Sequence, residues 1–135
     1  MIIVDSNIWI FAENANSEEY GAAARKLAEV LAADSFGINV IIASESFHIL
    51  GRMLGWEEAS LRIKNILDHP LAEWLDFSQE SVIAATELAR ERRIRVNDAL
   101  IAQQAIQNNA AILTDNIKDF KKIKSLKLIP LGEPQ

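Results

Sequence analysis

The 135-residue sequence contains no cysteine. That excludes a disulfide framework and any thiolate metal site. Its two histidines, His48 and His69, are not clustered. No apolar run approaches the roughly 20 residues that a membrane helix needs. The N-terminus lacks the basic segment of a signal peptide, and its apolar run is interrupted by Asp5. We therefore expect a soluble, cytoplasmic protein with no membrane contact. An excess of positive charge is also missing: 14 Lys and Arg against 19 Asp and Glu leave a net charge of −5. Broad, non-specific nucleic-acid binding through a basic face is disfavoured. A local basic patch beside an acidic, cation-filled cleft stays open, because a bound cation reverses the local field. There is no internal repeat, low-complexity segment or linker. What remains is a chain that is 50% apolar, enough for one domain with a real core.

The first ten residues, Met-Ile-Ile-Val-Asp-Ser-Asn-Ile-Trp-Ile, organise the rest. A short apolar run ended by turn-forming residues reads as a strand buried on both faces, central in a parallel sheet. Ligands in open α/β sheets bind beyond the carboxyl ends of the strands. Asp5 stands at such an end.

Along the chain, residues 1–5 are expected as a strand and residues 7–14 as a short helix, with Trp9 and Phe11 packing. Ser17 is the expected cap of a helix reaching about residue 34, with Tyr20, Ala24, Leu27, Ala28 and Leu31 at helical spacing. Residues 38–43, rich in β-branched side chains, read as a second strand. Ser44 would then cap a helix carrying Glu45, Phe47, Ile49, Leu50, Met53 and Leu54, ended by Gly55. Residues 56–68 form a further amphipathic helix closed by His69-Pro70, and residues 71–77 a third strand. Ser78 opens a helix through Arg92. Asn97 caps another over residues 98–107. Residues 110–114 make a fourth strand, residues 117–123 a helical turn, and residues 126–131 a last edge strand suited to Pro130. The tail, residues 132–135, is expected to fray. Strands alternating with helices define an α/β fold: one three-layer domain over residues 1–131 with a mostly parallel five-stranded sheet.

Carboxylates recur at the ends of these strands. Asp5 follows strand one, Glu45 follows strand two, Asp98 opens a late helix, and Asp115 follows strand four with Asp119 one turn on. A parallel sheet points all of them to one edge. Carboxylates meeting there cannot all ionise without a cation. Oxygen donors without cysteine suit Mg²⁺ or Mn²⁺, which can generate hydroxide from water and clamp a phosphate. Ser6, Asn7, Asn97 and Asn116 could orient the acids.

Four segments carry a family resemblance: Val-Asp-Ser-Asn-Ile-Trp-Ile at 4–10, Ala-Ser-Glu-Ser-Phe-His-Ile-Leu at 43–50, Asn-Asp-Ala-Leu-Ile-Ala at 97–102, and Leu-Thr-Asp-Asn-Ile-Lys-Asp-Phe at 113–120. In order and spacing they resemble the motifs of PIN-domain ribonucleases, and among these the VapC-type toxins of prokaryotic toxin–antitoxin pairs. The resemblance implies a Mg²⁺- or Mn²⁺-dependent endoribonuclease. Asp5 and Asp98 would bind the metal, and Glu45 with Asp115 or Asp119 would complete the site or position the attacking water. It also implies a central first strand, an RNA substrate, a small antitoxin that fills the cleft, and a homodimer. Position 116, where many members carry Asp or Asn, is Asn here, so Asp115 or Asp119 would supply the fourth charge, or the site keeps three carboxylates.

Plainer readings stand beside these. Asp5 can simply cap a turn, and Glu45 and Asp98 suit helix N-termini on dipole grounds. The Glu45-x-x-His48 pair has no second copy to build a di-iron bundle, so His48 is expected as a partly buried helix residue. Arg90, Arg92, Arg93 and Arg95 before Asp98, and Lys118, Lys121, Lys122, Lys124 and Lys127 near Asp115, could hold RNA phosphates, but each alone reads as a solvated charge. Phe47, Trp56, Trp74 and Phe120 are expected in the core. The rival functions are an inactive PIN-like RNA- or protein-binding domain and, ranked lower, a phosphoacceptor signalling domain. An apolar stripe on the helices at 44–68 is the candidate dimer face.

Overall fold

A computed structural model describes residues 1–132. The chain alternates strands and helices: β1 (Ile2–Val4), α1 (Ser6–Ala12), α2 (Tyr20–Leu31), β2 (Phe36–Ile38), α3 (Val40–Leu54), α4 (Trp56–Leu67), β3 (Ala72–Trp74), α5 (Gln79–Arg92), α6 (Val96–Gln107), β4 (Ala111–Thr114), α7 (Ile117–Phe120) and β5 (Leu128–Pro130). The five strands form one sheet in the order β3-β2-β1-β4-β5, every pairing parallel. The first strand is central, as the resemblance implied. No helix among the described residues is long and apolar enough to cross a membrane.

The central strands are short and apolar because both of their faces are covered. Ile3, Val4, Ile112 and Leu113 have no exposed surface. Gly37 sits where β2 passes β1 and the chain after β3. A Cβ there would lie 2.7 Å from Leu75 Cδ1 and 3.2 Å from Ile3 Cγ1, so the sheet closes around the missing side chain. Trp9 of α1 packs tilted on Phe36 of β2, ring centroids 5.0 Å apart. This pair ties the first helix to the sheet.

The second strand departs from expectation. It ends at Ile38, and residues 40–43 are the first turn of α3. The cause is Asn39. Its Oδ1 accepts the N–H of Ile42 at 2.9 Å, capping the helix, and its Nδ2 donates to Gln104 Oε1 of α6 at 2.7 Å. A good cap with a buried partner overrides the β preference of Val40-Ile41-Ile42. Ser44 is therefore not a cap; its hydroxyl donates back to the carbonyl of Ile41. Glu45 lies in the second helical turn, not the first. Other boundaries shift less. Helix α2 starts at Tyr20, with Glu19 at its cap position and no side-chain cap bond. Helix α6 starts at Val96, before Asn97, with Arg95 as N-cap residue. The expected strand over 71–77 contracts to Ala72–Trp74 at the sheet edge.

Two aromatic expectations change. Phe120 is fully buried, but Trp56 and Trp74 are about half exposed, at 53% and 50%. Trp74 donates its indole N–H to Asp76 at 2.8 Å on the surface, and Trp56 lies over Gly51 beside Phe47 and the exposed His48. Edge position explains Trp74, and the tight α3–α4 turn at Gly55 explains Trp56.

Gln104 Nε2 continues the buried network by donating to the carbonyl of Asp76 at 3.2 Å. Asn39→Ala removes a cap and orphans a buried amide oxygen, and should cost roughly 2–3 kcal/mol. Asn39→Ser, which keeps a cap acceptor without burying a charge, should cost less. Urea midpoints of the two variants check the order, and equal losses would mean that the cap contributes nothing.

Candidate active site

The site grows out of the end of β1. Asp5 leaves the strand, with its own N–H bonded to the carbonyl of Leu113 at 2.9 Å. It is the N-cap residue of α1, its Oδ1 accepting the N–H of Ser6 at 2.8 Å. Its Oδ2 accepts the hydroxyl of Thr114 at 2.7 Å and the amide of Asn7 at 3.3 Å. Thr114 is the fully buried last residue of β4. Its oxygen in turn accepts the N–H of Asn116 at 2.9 Å, and Asn116 Nδ2 reaches Asp98 Oδ2 at 3.4 Å. One chain of hydrogen bonds thus runs from α1 across the end of β4 to the first turn of α6.

Asp5 and Asp98 are 4% and 8% exposed, so both are buried and not on an open surface. Burial pushes the Asp5 carboxyl above its ordinary value, against the pull of its bonds to Thr114, Ser6 and Asn7 and of Arg95. Burial does the same to Glu45, with repulsion from Asp5 and Asp98 added and Arg95 opposing. Asp98 is raised by burial and by Asp5 and Asp119, against Arg95 and Asn116. Asp5 and Asp98 both act on Glu45, and Asp5 and Asp119 both act on Asp98, so these carboxylates lie within electrostatic reach of one another. The guanidinium of Arg95 stands among them, Nη2 3.7 Å from Glu45 Oε2.

Asp115 and Asp119 fall differently. Asp115 is exposed, and its backbone N–H donates to Asn7 Oδ1 at 3.2 Å. Asp119 sits in the first turn of α7, half-buried, with Lys122 Nζ 3.6 Å away. Asn116 holds Asp98 in place. Thr114 is a site residue that sequence reasoning did not single out; its one signal was a hydroxyl at a strand end directly before Asp115.

The donors fit a hard divalent cation: all are carboxylate oxygens, half-buried or buried, with more negative charge than one arginine cancels. Among the described residues no three His, Asp or Glu side chains converge closely enough to hold an ion together. A cation that keeps most of its water and takes one or two carboxylates suits this spacing, and Mg²⁺ behaves so.

Comparison with known proteins agrees with this geometry. A family model described as PIN domain matches residues 2–126. The chain belongs to the PIN-domain family. This PIN domain is 30% identical over 131 residues to a protein named Ribonuclease VapC2 from Rickettsia felis, covering 93% of this chain and 94% of that one. Its fold matches the crystal structure of Rickettsia felis VapBC2 bound to a DNA fragment from their promoter, with a TM-score of 0.75 and 29% identity over 96% of this chain and 98% of that one. VapBC-1 from nontypeable Haemophilus influenzae shares the fold at a TM-score of 0.75 and 21% identity, covering 98% of this chain and all of that one. So does Mycobacterium tuberculosis VapC20, a sarcin-ricin loop cleaving toxin, with a TM-score of 0.75 and 17% identity over 87% and 93% of the two chains.

The raised carboxyls make the stability of this PIN domain depend on pH in a definite sense. Asp5, Glu45 and Asp98 hold protons to higher pH folded than unfolded. The stability they contribute is complete below the unfolded values of 3.8 for Asp and 4.5 for Glu, and is lost as pH rises through the folded values. Asp34 runs the other way. Paired with the N-terminal ammonium at 2.7 Å, its carboxyl is lowered, and its contribution is lost as pH falls through its folded value. Without added metal, the melting temperature should therefore fall as pH rises above the unfolded carboxylate range. Asp98→Asn should raise it at neutral pH and flatten that fall. A variant that melts lower than the parent at neutral pH would refute the repulsion.

Proposed function

We propose that this PIN domain, residues 1–131, is a divalent-metal-dependent endoribonuclease and the toxin of a VapC-type toxin–antitoxin pair. The observation that carries the reading is the chain of hydrogen bonds that ties Asp5 through Thr114 and Asn116 to Asp98, two buried acids from distant parts of the sequence, with Glu45 within reach of both charges. Similarity to Ribonuclease VapC2 over nearly the whole chain supports it. RNA is the substrate we assign, and likeness to VapBC assemblies supports a small antitoxin as partner. A homodimer face is proposed at the corner of α3 and α4, where Met53, Trp56 and Leu61 are exposed.

Asp5 and Asp98 would hold Mg²⁺ or Mn²⁺, which when bound polarises the phosphate and lowers the pKa of attacking water. Asp5 is fixed for this by its three donors and Asp98 by Asn116. Glu45, raised by burial and by its acidic neighbours, is placed to take the proton from the water. That water attacks phosphorus in line, the bond to the leaving oxygen breaks, and the proton balance closes when the leaving oxygen is protonated. Asp119 would be the fourth acid, since its charge acts on Asp98.

Cleavage of a mixed RNA pool with Mg²⁺ or Mn²⁺ tests the reading. The parent should cut, a chelator should stop it, and Asp98→Asn should lose about a hundredfold or more of the rate. The rival, a binding-only PIN domain, draws on Asn116, an uncharged residue in the fourth motif. It predicts tight metal binding with no cutting by the parent.

The fourth acid is tested separately. Asp119→Asn should weaken Mn²⁺ binding by about tenfold, and Asp115→Asn by about twofold or less. Calorimetric titration gives both constants, and the opposite order would make Asp115 the member of the site.

A further inference from the structure

Arg95 immediately precedes α6, where its backbone takes an extended N-cap conformation and its side chain makes no cap hydrogen bond. Its guanidinium is therefore not needed to hold the helix. Arg93, two residues earlier, ends α5 in the left-handed region at φ 55°, and its carbonyl accepts from Lys122 at 3.4 Å. This turn carries the chain from α5 into α6 at the carboxylate cleft. Among the four arginines of residues 90–95, Arg95 is the one with an ion pair in the described residues, at 3.7 Å to Glu45.

The pair is weak. It is a single long contact, and the Arg95 side chain is 69% exposed. Yet the same charge acts on Asp5, Glu45 and Asp98 together. One guanidinium thus partly neutralises three carboxylates while keeping its outer face in solvent. A divalent cation entering the cleft would take over that role and repel the guanidinium. The planar fork then needs another anion, and a phosphodiester matches it in shape and charge. In a chain of net charge −5, a polyanion needs such a local anchor beside the acids.

Resting on the ribonuclease reading, we propose that Arg95 is the phosphate-binding residue at the lip of the cleft, parked on Glu45 until a cation displaces it onto the RNA backbone. It grips a phosphate next to the bond that is cut. It reads backbone, so its loss weakens all RNA sequences alike.

Arg95→Gln and Arg95→Lys in the full chain test this through two readouts. Titration with Mn²⁺ alone should show Arg95→Gln binding about fivefold tighter than the parent, since a competing charge is gone. Weaker binding would mean that Arg95 supports the metal site and would overturn the proposal. In RNA cleavage, Arg95→Gln should raise KM about tenfold, change kcat by about threefold or less, and reduce the slope of log affinity against log salt by about one. Arg95→Lys should restore the slope and only part of the KM. An unchanged KM in an active protein overturns the role of Arg95 alone. No metal-dependent cleavage by the parent overturns the ribonuclease reading and this proposal with it.

Discussion

Asp5 is the constraint on which the rest depends. A carboxylate at the end of the central strand is 4% exposed, and its burial is tolerable only because donors converge on it. The Ser6 N–H comes from α1, the Thr114 hydroxyl from β4, and the Asn7 amide from α1 again. These bonds fix where α1 leaves the sheet and how β4 ends. The helix-capping reading of Asp5 is therefore correct and does not compete with the functional one. A carboxylate has about four acceptor positions, and three are filled by these bonds. A free position remains for a cation, on an oxygen that cannot swing away.

The other two acids are set by a different device. Glu45 rides on α3 and Asp98 on α6, and the Asn39–Gln104 bond joins those helices in the interior. That tie fixes the spacing of the two helices, and Asp98 pushes the Glu45 carboxyl above its ordinary value. The fold holds them together against repulsion, a cost in stability of the kind that functional sites carry. Arg95 lightens the repulsion without removing it.

The strand–helix alternation, the central first strand and the carboxylate ends of the strands were legible in residue order alone. They follow from apolar runs and turn residues that act within a few positions of themselves. Ser78 shows the rule at its best: its hydroxyl accepts the N–H of Ser81, three residues on, and caps α5 as expected. Asp5 and Asp98 were visible for the same reason, each being an acid at a strand end or in a first helical turn, whereas Glu45 was singled out from a strand end that the structure moves back to Ile38.

What was not legible depends on partners far away in the chain. Residues 40–42 have the composition of a strand, and nothing near them says otherwise except an asparagine. That asparagine acts as a cap because Gln104, 65 residues later, holds its amide. The fourth acid was ambiguous on similar grounds. Asp115 and Asp119 are equivalent as letters after a strand, and they separate only when Asn7 takes the Asp115 amide and α7 turns Asp119 toward Asp98. Arg95 could not be told from Arg90, Arg92 and Arg93 by charge. Its distinction is Arg93's left-handed turn, which delivers one arginine of the four to the acids. In each case a local pattern listed the candidates, and a distant contact chose among them.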